Sequence, residues 1–119
     1  MTGLFNYPKR KLRKLIQDGE YEEAVEFAKS IEDKFSKDPD FLFIMGSMFY
    51  ILKNAKKSLH YIERVLEINE YDVEALSLKL RIYQFLKEDA IVIDCCKKIL
   101  KVDSENHEVR DILDNLEEI

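Results

Sequence analysis

The run Val65-Leu66-Glu67-Ile68-Asn69 returns 34 residues later as Ile99-Leu100-Lys101-Val102-Asp103. Self-similarity at that spacing marks a stacked repeat, in which each unit buries its apolar face only against its neighbours. The same offset aligns Leu42 with Leu76, Phe49 with Tyr83, Leu52 with Leu86, Ser58 with Val92 and Ile62 with Cys96. One step toward the N-terminus it aligns Leu15 with Phe49, Gly19 with Lys53, Ala24 with Ser58, Ala28 with Ile62 and Ile31 with Val65. Three units follow, at about residues 5–38, 39–72 and 73–106, the first the most diverged.

Inside each unit the apolar residues recur at three and four, as in Ala24, Phe27, Ala28, Ile31, Phe35 and in Leu59, Ile62, Val65, Leu66, which is helix spacing. Breaks at Asp18-Gly19-Glu20, Lys37-Asp38-Pro39-Asp40, Lys53-Asn54, Glu70-Tyr71-Asp72, Lys87-Glu88-Asp89 and Ser104-Glu105-Asn106 separate the helical runs. Pro39 suits a first helical position after Asp38. The pattern predicts seven helices, over about 8–18, 21–36, 39–53, 55–68, 73–87, 89–102 and 106–118, and no strand. The fold class is therefore all-α: antiparallel helical hairpins in a stack. The last helix carries Val109, Ile112, Leu113, Leu116 and Ile119 on one side with Asp111, Asp114, Asn115 and Glu118 opposite. Such a helix is expected to close the stack over the uncovered face of the third hairpin.

The chain of 119 residues has the size of one domain, so residues 1–119 are expected to form a single unit. It is 46% hydrophobic and 36% charged with three glycines and two prolines, the balance of a folded helical protein rather than a disordered one. Its longest uncharged apolar stretch, Phe41 to Leu52, spans only about 18 Å as a helix against roughly 30 Å of bilayer hydrocarbon. The N-terminal basic cluster follows apolar residues instead of preceding them, the reverse of a secretion signal, and the expected compartment is the cytoplasm. Cys95 and Cys96 are neighbours whose side chains diverge on a helix, which disfavours a bridge. Cys96 is expected to be buried and Cys95 to sit near the surface.

At these residues the chain resembles the tetratricopeptide repeat family. Gly19-Glu20-Tyr21-Glu22-Glu23-Ala24 is similar to that family's inter-helix turn and the small residue where two helices touch, and Val65-Leu66-Glu67-Ile68-Asn69 is similar to its repeat ending. Nearly the whole chain is covered. The departures are specific: the family's tight glycine in the first helix is met only by Gly46, with Leu12 and Leu80 in the other units. The leucine before it is replaced by Lys11, Met45 and Lys79, and the closing proline by Ser36, Glu70 and Ser104. The resemblance implies a right-handed superhelical stack whose first helices line a concave groove that takes peptides or partner helices. One branch of the family holds chaperone tail carboxylates with lysines, asparagines and an arginine. Only Lys9 matches that set, while Arg13, Ile44, Glu74 and Leu78 depart from it, so chaperone tail peptides are not expected to bind.

Chemistry has little foothold in this sequence. His60 and His107 are far apart and no zinc spacing is present, so no metal is expected. Gly46-Ser47 lacks the further glycines of a phosphate loop, and no cofactor is implied. The carboxylates are abundant enough to be solvated faces, and the protein is not expected to be an enzyme. Residues 1–14 carry +5 and no acid, whereas the whole chain is −5 and the segment from Asp103 onward is −6. That balance disfavours nucleic acid as a partner. The basic start, Lys9, Arg10, Lys11, Arg13 and Lys14 with Phe5 and Tyr7, has the composition of a tether to an anionic membrane or RNA surface. The more ordinary reading, a solvated first helix, is preferred, and a membrane partner is not expected.

The expected function is that of an adaptor binding a protein or peptide partner, with self-association into a homo-oligomer as the alternative. The third helix is apolar on two sides at once. Leu42, Met45, Gly46, Phe49 and Leu52 serve the hairpin, whereas Phe43, Ile44, Tyr50 and Ile51, with Ser47 among them, face the side that the resemblance assigns to the groove. The candidate groove residues are Lys9, Arg13, Phe43, Ile44, Ser47, Tyr50, Ile51, Arg81 and Phe85. They imply apolar anchors on the partner, beside acidic residues that Lys9, Arg13 and Arg81 would orient.

Overall fold

A computed structural model describes residues 2–117 and, of residues 2–6, the backbone alone. Seven helices run through the described residues: α1 Thr2–Gln17, α2 Tyr21–Phe35, α3 Pro39–Ile51, α4 Ala55–Ile68, α5 Val73–Phe85, α6 Asp89–Val102 and α7 His107–Glu117. Consecutive helices pack together, most extensively α3 on α4 and α5 on α6. The described residues contain no strand. Glu118, Ile119 and the side chain of Phe5, which entered the expectations above, lie outside the description.

The ends of the helices repeat with the sequence. Asp38, Asp72 and Asn106, 34 residues apart, each open a first helix of a pair or the last helix by accepting backbone N–H groups: Asp40 and Phe41 at 2.9 and 3.2 Å, Ala75 at 2.9 Å and Val109 at 3.0 Å. These side-chain oxygens satisfy donors that a helix start leaves unpaired. Between the two helices of each pair stand Gly19, Lys53 and Lys87, with φ of 75°, 60° and 60°. Each donates its N–H three residues back, to Ile16, Tyr50 and Gln84, while the next residue donates five back, to Leu15, Phe49 and Tyr83. This is the Schellman turn in triplicate, and it needs a left-handed residue at its centre. It also explains why α3 and α5 stop at Ile51 and Phe85, two residues before the ends expected from apolar spacing. At the other end α1 begins at Thr2 instead of near residue 8, with Pro8 inside it. Proline holds a helical φ itself and only disfavours helix in the residue before it, so the turn ahead of it continues at the loss of one hydrogen bond.

The core is laid along the stack in two clusters. One joins α1 to α5 around Leu12, Ala28, Phe41, Met48, Ile62 and Val65, and the other joins α5 to α7 around Leu76, Val92, Cys96, Ile99, Val109 and Leu113. Leu66 touches both. The shape follows: extents of 50 × 29 × 22 Å and a radius of gyration of 15.7 Å, against roughly 13.5 Å for a compact domain of this length. In the middle hairpin the Ser58 hydroxyl donates to the Gly46 carbonyl at 2.7 Å, so α3 and α4 meet backbone to side chain with nothing between. Polar ties link the second helices, where Tyr61 donates to Glu32 at 3.0 Å and Arg64 donates to the Ser36 carbonyl at 2.8 Å.

α7 covers the end of the stack with Val109 and Leu113 buried and Ile112 and Leu116 partly so. One expectation fails on α6: Cys95 is as fully buried as Cys96. α6 has α5 on one side and α7 on the other, so neighbouring side chains on this helix both find cover.

Candidate functional site

α1, α3 and α5, the first helices of the three units, enclose a cleft of about 320 Å³. α3 supplies its floor with Phe43, Ile44, Ser47 and Met48; α1 supplies Ile16, Gln17 and Arg13; Asp40 and Glu74 stand at the rim. Met48 and Ile44 are buried, and Phe43 and Ser47 are half-exposed within the cleft. The sequence makes this floor because α3 is apolar around most of its circumference. One side is taken by α4; on the other, Ile44 and Met48 are buried while Phe43 and Ser47 keep partial exposure to the cleft.

Four of the candidate residues, Arg13, Phe43, Ile44 and Ser47, come together here. Lys9, Tyr50, Ile51, Arg81 and Phe85 do not line the cleft. Tyr50 and Ile51 end α3 and Phe85 ends α5, exposed at the hairpin turns with Leu52 and Leu86, and Phe85 is 84% exposed. Sequence spacing puts these residues on the same helical side as Phe43 and Ile44, but the C-terminal turns of α3 and α5 carry them past the mouth of the cleft. Ile16, Gln17, Asp40, Met48 and Glu74 line the cleft and are not among the nine candidate residues. The signal for Asp40 and Glu74 lay in their being 34 residues apart, hence side by side along the stack.

The charges on this face are largely matched within the protein. Lys9 Nζ is 2.9 Å from Asp38 Oδ2 and 3.3 Å from Asp40 Oδ2, and Arg13 Nη2 donates to Asp40 Oδ1 and Oδ2 at 2.7 and 2.8 Å. Its hydrogen bond to Asp38 outweighs partial burial and raises the Lys9 ammonium above its ordinary value. Burial pushes the Asp38 carboxyl up, but hydrogen bonds from Lys9 and from the Phe41 and Asp40 backbone hold it below the usual range. Lys9 also stands 5.8 Å from the Phe35 ring centroid. Two of the three cations expected to meet a ligand, Lys9 and Arg13, thus tie α1 to the start of α3.

No group of three or more His, Cys, Asp or Glu among the described residues has a geometry that could hold a metal ion. No helix among them is long and apolar enough to cross a membrane. Compared with protein-family models and with curated proteins, the chain matches none.

Proposed function

We propose that this protein is a tetratricopeptide-like adaptor, not an enzyme, and that it binds a peptide or helix of a partner protein in the cleft between α1, α3 and α5. The observation that carries the reading is an apolar cleft at the centre of a face formed by equivalent helices of successive units, in which Phe43 keeps partial exposure next to the buried Ile44 and Met48. Repeat stacks present such faces as extended binding surfaces. Half-exposed Phe43 is the natural anchor contact, since buried aromatics carry a large share of interface energy. The direct test is Ser47→Arg, which fills the cleft from a half-exposed position. Affinity capture with the wild type and with this variant should recover a protein that the variant loses although it melts no lower than the wild type. Equal recovery by both would sink the reading.

The exposed edge favours a second reading, self-association. Ile51-Leu52-Lys53 and Phe85-Leu86-Lys87 are equivalent turns, and their apolar residues are bare, so two copies could join along this edge. Light scattering at two concentrations separates the readings: a mass that rises with concentration, and does so no longer in Phe85→Ser, supports the edge.

A further inference from the structure

The Arg13–Asp40 ion pair joins one unit to the next, and the 34-residue register says what should stand one step along the stack. Arg13 becomes Ser47 and Asp40 becomes Glu74. The acid is kept and the guanidinium is missing. Ser47 and Glu74 both line the cleft, and Glu74 is exposed and makes no ion pair among the described residues. The space that Arg13 fills in front of Asp40 is, one unit later, the open cleft in front of Glu74.

We propose that the partner supplies this missing group: the cleft takes an arginine side chain of the bound peptide or helix, its guanidinium on Glu74 and Ser47 and its stem along the apolar floor. The proposal rests on the cleft being the binding site and adds the chemistry of what enters it. The template is within the molecule. At Asp40 the guanidinium nitrogen lies 2.7 and 2.8 Å from the two carboxylate oxygens, the short distances of a charge-assisted pair. Arginine suits the site better than lysine because its planar fork matches a carboxylate and its flat face lies well on an aromatic ring such as Phe43. The Ser47 hydroxyl can accept a further N–H. Charge favours a cation as well: Lys9 and Arg13 are already balanced by Asp38 and Asp40, so Glu74 is the uncompensated charge in the cleft. This reverses the acidic partner that the basic residues of α1 suggested.

The test is selection from a phage-displayed random peptide library on the wild type, Glu74→Gln and Ser47→Arg. Wild type should enrich peptides with an arginine next to apolar residues. Glu74→Gln should weaken them about tenfold, the loss of one charge-assisted hydrogen bond. Ser47→Arg should abolish them and raise the melting temperature, because the introduced guanidinium completes the pair with Glu74. The rise should vanish in Ser47→Arg/Glu74→Gln. Peptides that compete for the cleft but carry no basic residue, or that bind Glu74→Gln equally well, would overturn this inference and leave the cleft standing. If no enriched peptide is sensitive to Ser47→Arg, the cleft itself fails as the binding site.

Discussion

A Cβ added to Gly46 would stand 2.6 Å from Ile62 Cδ1 and 2.8 Å from Ile62 Cγ1. The repeat register turns this close approach into a rule about volume. Gly46 corresponds to Leu12 and Leu80, and Ile62 to Ala28 and Cys96, all buried. Each hairpin therefore pairs one bulky residue with one small one, and the middle hairpin inverts the order. Gly46→Leu should overpack and cost about 1–3 kcal/mol, with roughly 1 kcal/mol returned by better helix propensity. Adding Ile62→Ala restores the order of the other two units and should recover most of the loss. Denaturant unfolding of the two single variants and the double variant checks this; additive destabilisation would show that the two positions do not share one space.

Lys53 and Lys87 pay the steric cost of a left-handed backbone that Gly19 avoids. That conformation costs a non-glycine residue roughly 1–2 kcal/mol, against about 0.5–1 kcal/mol for the extra freedom of glycine in the unfolded chain. Lys53→Gly and Lys87→Gly should each stabilise the protein by about 0.5–1 kcal/mol. Gly19→Ala should destabilise it, although no atom lies within 4 Å of the added Cβ. Thermal melts of the three variants decide; opposite signs would mean that the turns are not equivalent.

Much of the fold was legible because a repeat states each decision three times. The period, the breaks at Asp38, Asp72 and Asn106 and the apolar stripe of the last helix all follow from residue types at fixed spacing. The exact ends of α3 and α5 did not, since Lys53 and Lys87 carry no sign of a left-handed backbone that only Gly19 reveals. The site was half legible. Phe43, Ile44 and Ser47 announce a second apolar side of α3, but whether Lys9 and Arg13 are free depends on pairs 27 to 29 residues apart, which form only once the hairpins are stacked. Cys95 was misplaced for the same reason, its cover arriving from another helix.

Removing residues 106–119 should strip Val109 and Leu113 from the core cluster they share with Val92, Cys95, Cys96 and Ile99 of α6 and expose part of it. Stacks without a polar outer face associate. The truncated chain should melt lower and oligomerise on size exclusion with light scattering. A monomer with unchanged melting would show that α7 is not a cap.

High pH should weaken the fold. Burial pushes the Cys95 thiol up from 9.0 to about 11, and burial with the Glu32 hydrogen bond pushes Tyr61 from 10.0 to about 12. Both groups hold their protons longer when folded, so the unfolded chain ionises first and stability falls as pH rises from 9 toward 12. Tyr61→Phe should flatten the upper part of that decline in chemical denaturation. By the same burial, native protein should react with a thiol reagent such as Ellman's only at the rate at which it opens, and rapid labelling of two thiols under native conditions would contradict the enclosed position of both cysteines.

The measurement closest to the central claim is a methyl and amide NMR titration with a library-selected peptide. The account predicts the largest shifts at Ile16, Phe43, Ile44, Ser47 and Met48, absent in Ser47→Arg, with Ile51 and Leu86 at the exposed edge little changed. Shifts confined to Ile51, Leu86 and Phe85, or to α2, α4 and α6, with the floor of the cleft unmoved, would contradict it.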